Sequence, residues 1–215
     1  MKKDAAFEAL LELLCGGAWR FGEKLSVKQL TDTIGIGRQP IMAALTQLSA
    51  AGFVNIVAQV GCQVISPSQD DIADFYCMFA RTEGVIAELA ALRARPDEYA
   101  RLVQINTQIA ALKPGARDAA RRYRTLNLAF HGLLHEMSHA PILQGPQRNQ
   151  FAMADFFVAE TCGFESHMGD ATREHREILQ AIAAGNTEAA RAAAEAHIHA
   201  VAESVRLTFD QRRRA

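Results

Sequence analysis

Apolar residues recur with helical spacing along most of the chain, and the pattern breaks to a strand-like one only between residues 53 and 65. Upstream of that break, Val27, Leu30 and Ile34 share one helix face. Ser26, with Gln29 three positions later, is a capping box that predicts a helix start at Val27. Ile34-Gly35-Ile36-Gly37 then interrupts the pattern, and Gly35 is free to take the positive φ that ends a helix. A second helix opens on Arg38-Gln39-Pro40, where a proline costs no hydrogen bond. It continues through Ile41, Ala44, Leu45 and Leu48 and closes near Ala51-Gly52. Residues 53–57 and 63–65 read as strands joined by residues 58–62. Helix, tight turn, helix and hairpin in this order predict a winged helix-turn-helix.

The DNA major groove admits one helix, provided another element holds that helix in place. Arg38 and Gln39 stand at the N-terminal turn of the second helix, where free N–H groups also face a phosphate or base edge. The Arg38 fork suits guanine or phosphate, and Gln39 suits adenine. The alternative is a winged helix used only for protein contacts, with Arg38 a solvated charge. Charge gives DNA little general help. Residues 1–66 carry Lys2, Lys3, Arg20, Lys24, Lys28 and Arg38 against Asp4, Glu8, Glu12, Glu23 and Asp32, a net of +1.

The chain changes character at Ser66-Pro67-Ser68-Gln69-Asp70, a polar linker and helix cap. Helical periodicity then predicts helices near 70–94, 97–112, 117–138, 141–161, 164–184 and 187–210. The expected fold is mainly α: a winged helix-turn-helix over residues 1–66, a linker over 67–70 and an all-α bundle of about six helices over 71–215. With 49% hydrophobic residues in 215, the chain buries a real core and is not disordered. No run of 18 apolar residues exists, and MKKDAAFEALLELL mixes charge with apolar residues as an amphipathic helix over about 5–15 does. No transmembrane span, membrane partner or signal peptide is expected. Cys15, Cys62, Cys77 and Cys162 are scattered without a CxxC pair, which suits reduced thiols of a cytoplasmic protein.

With these residues in view, the chain resembles the GntR family of bacterial transcription regulators, in the FadR branch with an all-helical FCD sensing domain. In the first domain the resemblance rests on Gly35-Ile36-Gly37-Arg38-Gln39-Pro40-Ile41, Ala44-Leu45, Leu48, Gly52-Phe53-Val54 and Gly61-Cys62-Gln63-Val64. In the second it rests on Glu83, Ala87, Leu89 and Ala90, on Phe130-His131 and Leu134, and on Glu174-His175-Arg176-Glu177-Ile178-Leu179 through His197-Ile198. The resemblance implies a homodimer on double-stranded, pseudo-palindromic operator DNA, with Lys28, Arg38, Gln39, Pro40, Gln59 and Gly61 at the contact. It implies a small organic-acid effector in the helical domain, with repression relieved by ligand. It also implies a divalent metal such as Zn²⁺ or Ni²⁺ at Asn127, His131, His175 and His197. Arg81, His135 and Arg148 are further candidates for the effector.

Three departures from the family pattern stand out. Asn127 replaces the usual Asp, removing one negative charge from the metal set. Met42 and Val60 stand where relatives carry basic residues toward DNA. A rival signal is His135-Glu136-Met137-Ser138-His139, a literal H-E-x-x-H that in a zinc hydrolase supplies two ligands and a general base. Ala140-Pro141 ends the helix at the second histidine, and the extended motif is absent. A third possibility is a ligand-binding scaffold that has lost DNA binding. His199 points some 200° from His197 around a helix and is a poor co-ligand. The expected protein is no enzyme. Arg212-Arg213-Arg214 reads as a solvated tail, and Phe151, Phe156 and Phe157 read as core or dimer interface.

Overall fold

The structure, a computed structural model, describes residues 2–57 and 61–214, with side chains from residue 5 to residue 211. Ala58, Gln59, Val60 and the side chains of Arg212–Arg214 therefore lie outside the described residues. The elements are α1 (Lys2–Cys15), β1 (Lys24–Leu25), α2 (Val27–Ile34), α3 (Arg38–Ala50), β2 (Val54–Val57), β3 (Gly61–Val64), α4 (Gln69–Arg93), α5 (Pro96–Ala110), α6 (Ala119–Met137), α7 (Pro141–Glu160), α8 (Met168–Ala183) and α9 (Thr187–Arg214). A 3₁₀ turn, Phe164–His167, precedes α8. Contacts divide the chain into two compact units, Met1–Ser68 with Ala152–Glu160, and Gln69–Phe151 with Thr161–Ala215. Among the described residues no helix is long and apolar enough to cross a membrane.

In the first unit α2 starts where the capping pair predicts, with the Gln29 N–H donating to Ser26 Oγ. It ends at Gly35, whose φ of 71° is left-handed, and the Gly35 N–H donates to the Thr31 carbonyl. Helix α3 packs on α1, and Ile41, Ala44, Leu45 and Leu48 of α3 are buried, as are Leu10 and Leu14 of α1. The wing differs from its sequence pattern in two respects. Its second strand begins at Gly61 rather than Gln63, because Gly61 and Cys62 pair with Val57 and Ile56. A third strand, β1, adds itself to the outer edge of β3 through Lys24↔Gln63 and Leu25↔Cys62. Two residues are too few for a period-2 signal, so β1 left no trace in the pattern. The α7 segment within this unit brings Phe156, fully buried, edge-on to Phe21 and Phe53.

The second unit is all-helical, as the periodicity predicts. On α4 the buried positions run Ile72, Tyr76, Phe79, Ala80, Glu83, Gly84, Ile86, Ala87, Ala90, a continuous helical stripe containing one carboxylate. Around it Leu102 and Ile109 of α5, Phe130 and Leu134 of α6, Ile178 and Ile182 of α8 and Ala190 and Ala194 of α9 close one core. Small residues let α4 and α9 approach closely. A Cβ on Gly84 would lie 2.7 Å from Glu195 Cγ and 3.0 Å from Arg191 Cγ. Two boundaries differ from the pattern. Helix α6 opens at Ala119, after a turn over Lys113–Asp118, rather than at 117, and the predicted 164–184 helix divides into the 3₁₀ turn and α8.

Gly84→Leu should lower the urea stability by about 1–3 kcal/mol, because α4 and α9 must part to admit the side chain. Gly132→Ala is the opposite case, since nothing lies within 4 Å of a Cβ at that α6 position. It should raise stability by up to about 1 kcal/mol through helix propensity alone.

Candidate metal centre and nucleic-acid interface

With Ile41, Ala44, Leu45 and Leu48 turned inward, α3 leaves Arg38, Gln39, Met42 and Thr46 on its outer face. Gly37 caps this helix without a side chain, so no side-chain oxygen occupies the N–H groups of its first turn. Lys28 is exposed on α2, Pro40 is half-buried, and Gly61 is exposed with a φ of 115° where β3 begins. Gln59 lies outside the described residues. Thr46 was not singled out in the sequence, yet it stands one turn beyond Met42 on the same face and donates its hydroxyl to the Met42 carbonyl.

In the second unit the fold gathers His131 of α6, His175 of α8 and His197 of α9. All three are buried, and one ring nitrogen from each lies within 4.8 Å of the others. The His131 and His197 rings stack at 5.3 Å, and His175 lies face to face on Phe130 at 3.8 Å. Phe151 closes another side, 4.6 Å from His131. Three of the buried nitrogens, His131 Nε2 and both of His175, have no hydrogen-bond partner, nor does the Asn127 Oδ1 one turn below His131. A core rarely strands this many polar atoms without reason. Nitrogen donors on three helices suit a borderline ion such as Zn²⁺ or Ni²⁺. The residues present therefore fit a metal ion.

Two further ring nitrogens are paired with carboxylates. His131 Nδ1 donates to Glu83 Oε2 at 3.0 Å, and His197 Nδ1 donates to Glu174 Oε2 at 2.7 Å. Burial would raise the Glu83 carboxyl, but the charge of His135 and the hydrogen bonds from His131 and His135 outweigh it and hold it down at about 2. The Glu174 carboxyl is lowered too, burial being outweighed by the hydrogen bond and charge of His197. For His131 burial dominates over Glu83 and pushes the imidazolium down to about 4. Burial, with His197 and His131 alongside, holds His175 well below the ordinary histidine range. His167, 3.1 Å from the Cys162 thiol, is pushed to about 4 by burial and then by His197.

The H-E-x-x-H segment does not assemble as a metal site. His135 is buried and directs Nε2 to Glu83 Oε1 at 2.6 Å. His139 lies past the helix end with a φ of 46° and turns to Glu98 at 3.1 Å. The two rings serve carboxylates on two different helices. Arg81 and Arg148 are exposed, and Arg81 is committed to Glu195 at 2.6 Å. Among the described residues no hydrogen bond or ion pair joins either arginine to the three histidines. His199 faces elsewhere, into a cavity with Tyr76 and Arg206, whose guanidinium is already taken by Glu203 and Asp210.

Comparison with known proteins agrees over both units. The family described as bacterial regulatory proteins, gntR family, matches residues 2–64, and the FCD domain matches residues 74–200. The HTH-type transcriptional regulator YdhC of Bacillus subtilis (strain 168) is 25% identical over 211 residues, covering 95% of this chain and 91% of YdhC. The HTH-type transcriptional repressor GlaR of Escherichia coli (strain K12) is 30% identical over 129 residues, 60% of this chain and 56% of GlaR. Among solved structures, E. coli McbR/YncC superposes with a TM-score of 0.78 at 16% identity over 98% of both chains, a likeness of fold.

Two outcomes follow from the stranded nitrogens. His175→Phe should keep the stack on Phe130 and remove two unsatisfied polar atoms. The metal-free variant should therefore be more stable by about 1–3 kcal/mol while losing Zn²⁺ uptake, as chelator-treated thermal melts and metal titration would read. The second concerns pH. The unfolded chain protonates its histidines below about 6.5, whereas folded His131 and His167 resist until about 4. Unfolding thus takes up protons in this window, and stability of the metal-free protein should fall as pH drops from 6.5 toward 4. Loss of the Glu83 contribution should follow between 4.5 and about 2. Urea midpoints that stay flat across both windows would contradict it.

Proposed function

The chain belongs to the gntR family of bacterial regulatory proteins and carries its FCD domain, and on that premise we propose a transcriptional repressor whose hold on operator DNA is set by a metal-assisted metabolite site. The observation that carries the sensing half is the buried trio of His131, His175 and His197 with its partnerless nitrogens. These three side chains, with Asn127 Oδ1 adjacent on α6, would hold a divalent ion. An ion bound by neutral ligands keeps its charge and open positions, which suit the carboxylate of a small organic acid. GlaR, a similar protein, is a repressor, which supports that sign of regulation.

The reading half rests on Arg38 and Gln39 at the start of α3, with Lys28 of α2 and Gly61 at the start of β3 as further contacts. Met42 offers groove-facing apolar surface where a thymine methyl is a favourable contact. The functional form is a homodimer. Its support is a row of exposed apolar side chains on α4, Met78, Val85 and Leu92, spaced seven apart and 52%, 45% and 68% exposed. A DNA reader acts where the chromosome is, which supports a cytoplasmic location.

Fluorescence anisotropy with DNA from upstream of its own gene tests the proposal, with Zn²⁺ alone as the probe of the sensing site. Arg38→Ala should weaken binding about 5–150-fold, the worth of about 1–3 kcal/mol for one bidentate contact. His175→Ala should retain the binding of the metal-free protein and lose the change that Zn²⁺ produces in the wild type. A wild type that retards no DNA at low salt would sink the regulator reading in favour of a ligand-binding scaffold. Hydrolytic turnover abolished by Glu136→Gln would sink it in favour of an enzyme.

A further inference from the structure

We infer that Glu83 and Glu174, neither of them a metal ligand, are the positioning residues of the histidine site: each takes the Nδ1–H of one ligand ring and so presents that ring's Nε2 lone pair to the centre. The inference rests on the metal reading above and names the groups that orient two of its three imidazoles.

A neutral imidazole carries its proton on one nitrogen, and a hydrogen bond at that nitrogen decides which one remains a lone pair. His131 spends Nδ1 on Glu83 Oε2 at 3.0 Å, and its Nε2 is the buried atom without a partner. His197 spends Nδ1 on Glu174 Oε2 at 2.7 Å. The same nitrogen is therefore protonated on both rings. Both acceptors are held from behind. Glu83 Oε1 accepts from His135 Nε2 at 2.6 Å, and Glu174 Oε1 lies 3.3 Å from Arg173 Nη2. The third ring, His175, has no carboxylate and is fixed by its stack on Phe130, with planes 6° apart.

Charge gives the arrangement a second consequence. Asn127, His131, His175 and His197 are neutral donors, so no ligand offsets an ion's charge directly. Two carboxylates one hydrogen bond away return negative charge through the imidazoles and make the rings better donors. The outer carboxylates thus do part of what an inner carboxylate would do at position 127.

Full-length protein separates this from a merely structural role. Zn²⁺ affinity is read by competition with a chromophoric chelator, and ligand orientation by the visible absorption of fully loaded Co²⁺ protein. Glu83→Gln and Glu174→Gln should each weaken Zn²⁺ about 10–100-fold and alter the Co²⁺ spectrum at unchanged stoichiometry. Glu98→Gln is the control, because it breaks a His–carboxylate pair outside the cluster, His139 to Glu98 at 3.1 Å. It should change neither readout. If Glu83→Gln fails to fold, Glu174→Gln, a substitution at a partly exposed side chain, decides alone. Variants that match a metal-binding wild type in both readouts overturn this inference only. A wild type that takes up no Zn²⁺ overturns the metal reading and this inference with it.

Discussion

A carboxylate sealed inside a helical core is tolerated only with partners, and Glu83, 1% exposed, is the one on which the second unit turns. It stands mid-stripe on α4, among residues that otherwise bury apolar surface. Its two oxygens take two rings of α6 that lie one turn apart, His131 and His135. That pins the rotation of α6 about its own axis relative to α4. Helix α4 also packs on α8 and α9, which carry His175 and His197. One buried anion therefore helps fix the helices that bring the histidines together. The apolar packing around it supplies stability, and the anion supplies register.

Most of the fold was legible because helices announce themselves through period and punctuation. Ser26, Gly35 and the Arg38-Gln39-Pro40 start lie in the structure where their chemistry puts them. Strand content was harder. Strand β1 holds two residues and exists only because β3 offers it an edge, a long-range fact that no local pattern contains. The same applies to Gly61 and Cys62, which read as a turn and became strand through pairing with β2.

The site was legible unevenly, and for physical reasons. The three histidines are far apart in the chain, and only likeness to a family joined them before the bundle did. Glu83 could have been found without it, since a lone charge in the row Phe79, Ala80, Ile86, Ala87 must be buried and therefore partnered. Glu174 could not, because Arg173 and Glu177 beside it make its stretch look like a solvated face. H-E-x-x-H was a rival signal that the sequence itself undercut at Ala140-Pro141. Its spacing suits a metal on a continuing helix, but α6 ends at Met137, and His139 bends away at a positive φ. Arg81 reads as an anion receptor until Glu195, 114 residues on, claims its guanidinium.

The partnerless nitrogens bear on how such a protein would switch. Each buried, unsatisfied polar atom costs the fold about 1–3 kcal/mol, so a guest that satisfied them would favour whichever arrangement of α6, α8 and α9 held it best. Such a guest would shift populations only by its difference in affinity between arrangements. On the output side, a reader with a net charge of +1 over residues 1–66 has little sequence-independent attraction to phosphate. On the proposed reading its grip would depend on a few placed contacts such as Arg38 and Gln39, and losing the fit of one half-site would forfeit most of it. A modest bias at the histidines would then be enough to matter at the DNA, since each tenfold change in affinity asks for only about 1.4 kcal/mol. If the proposed sensing holds, partnerless nitrogens in one unit and light charge in the other would meet one requirement: an equilibrium close enough to balance for a small metabolite to tip it.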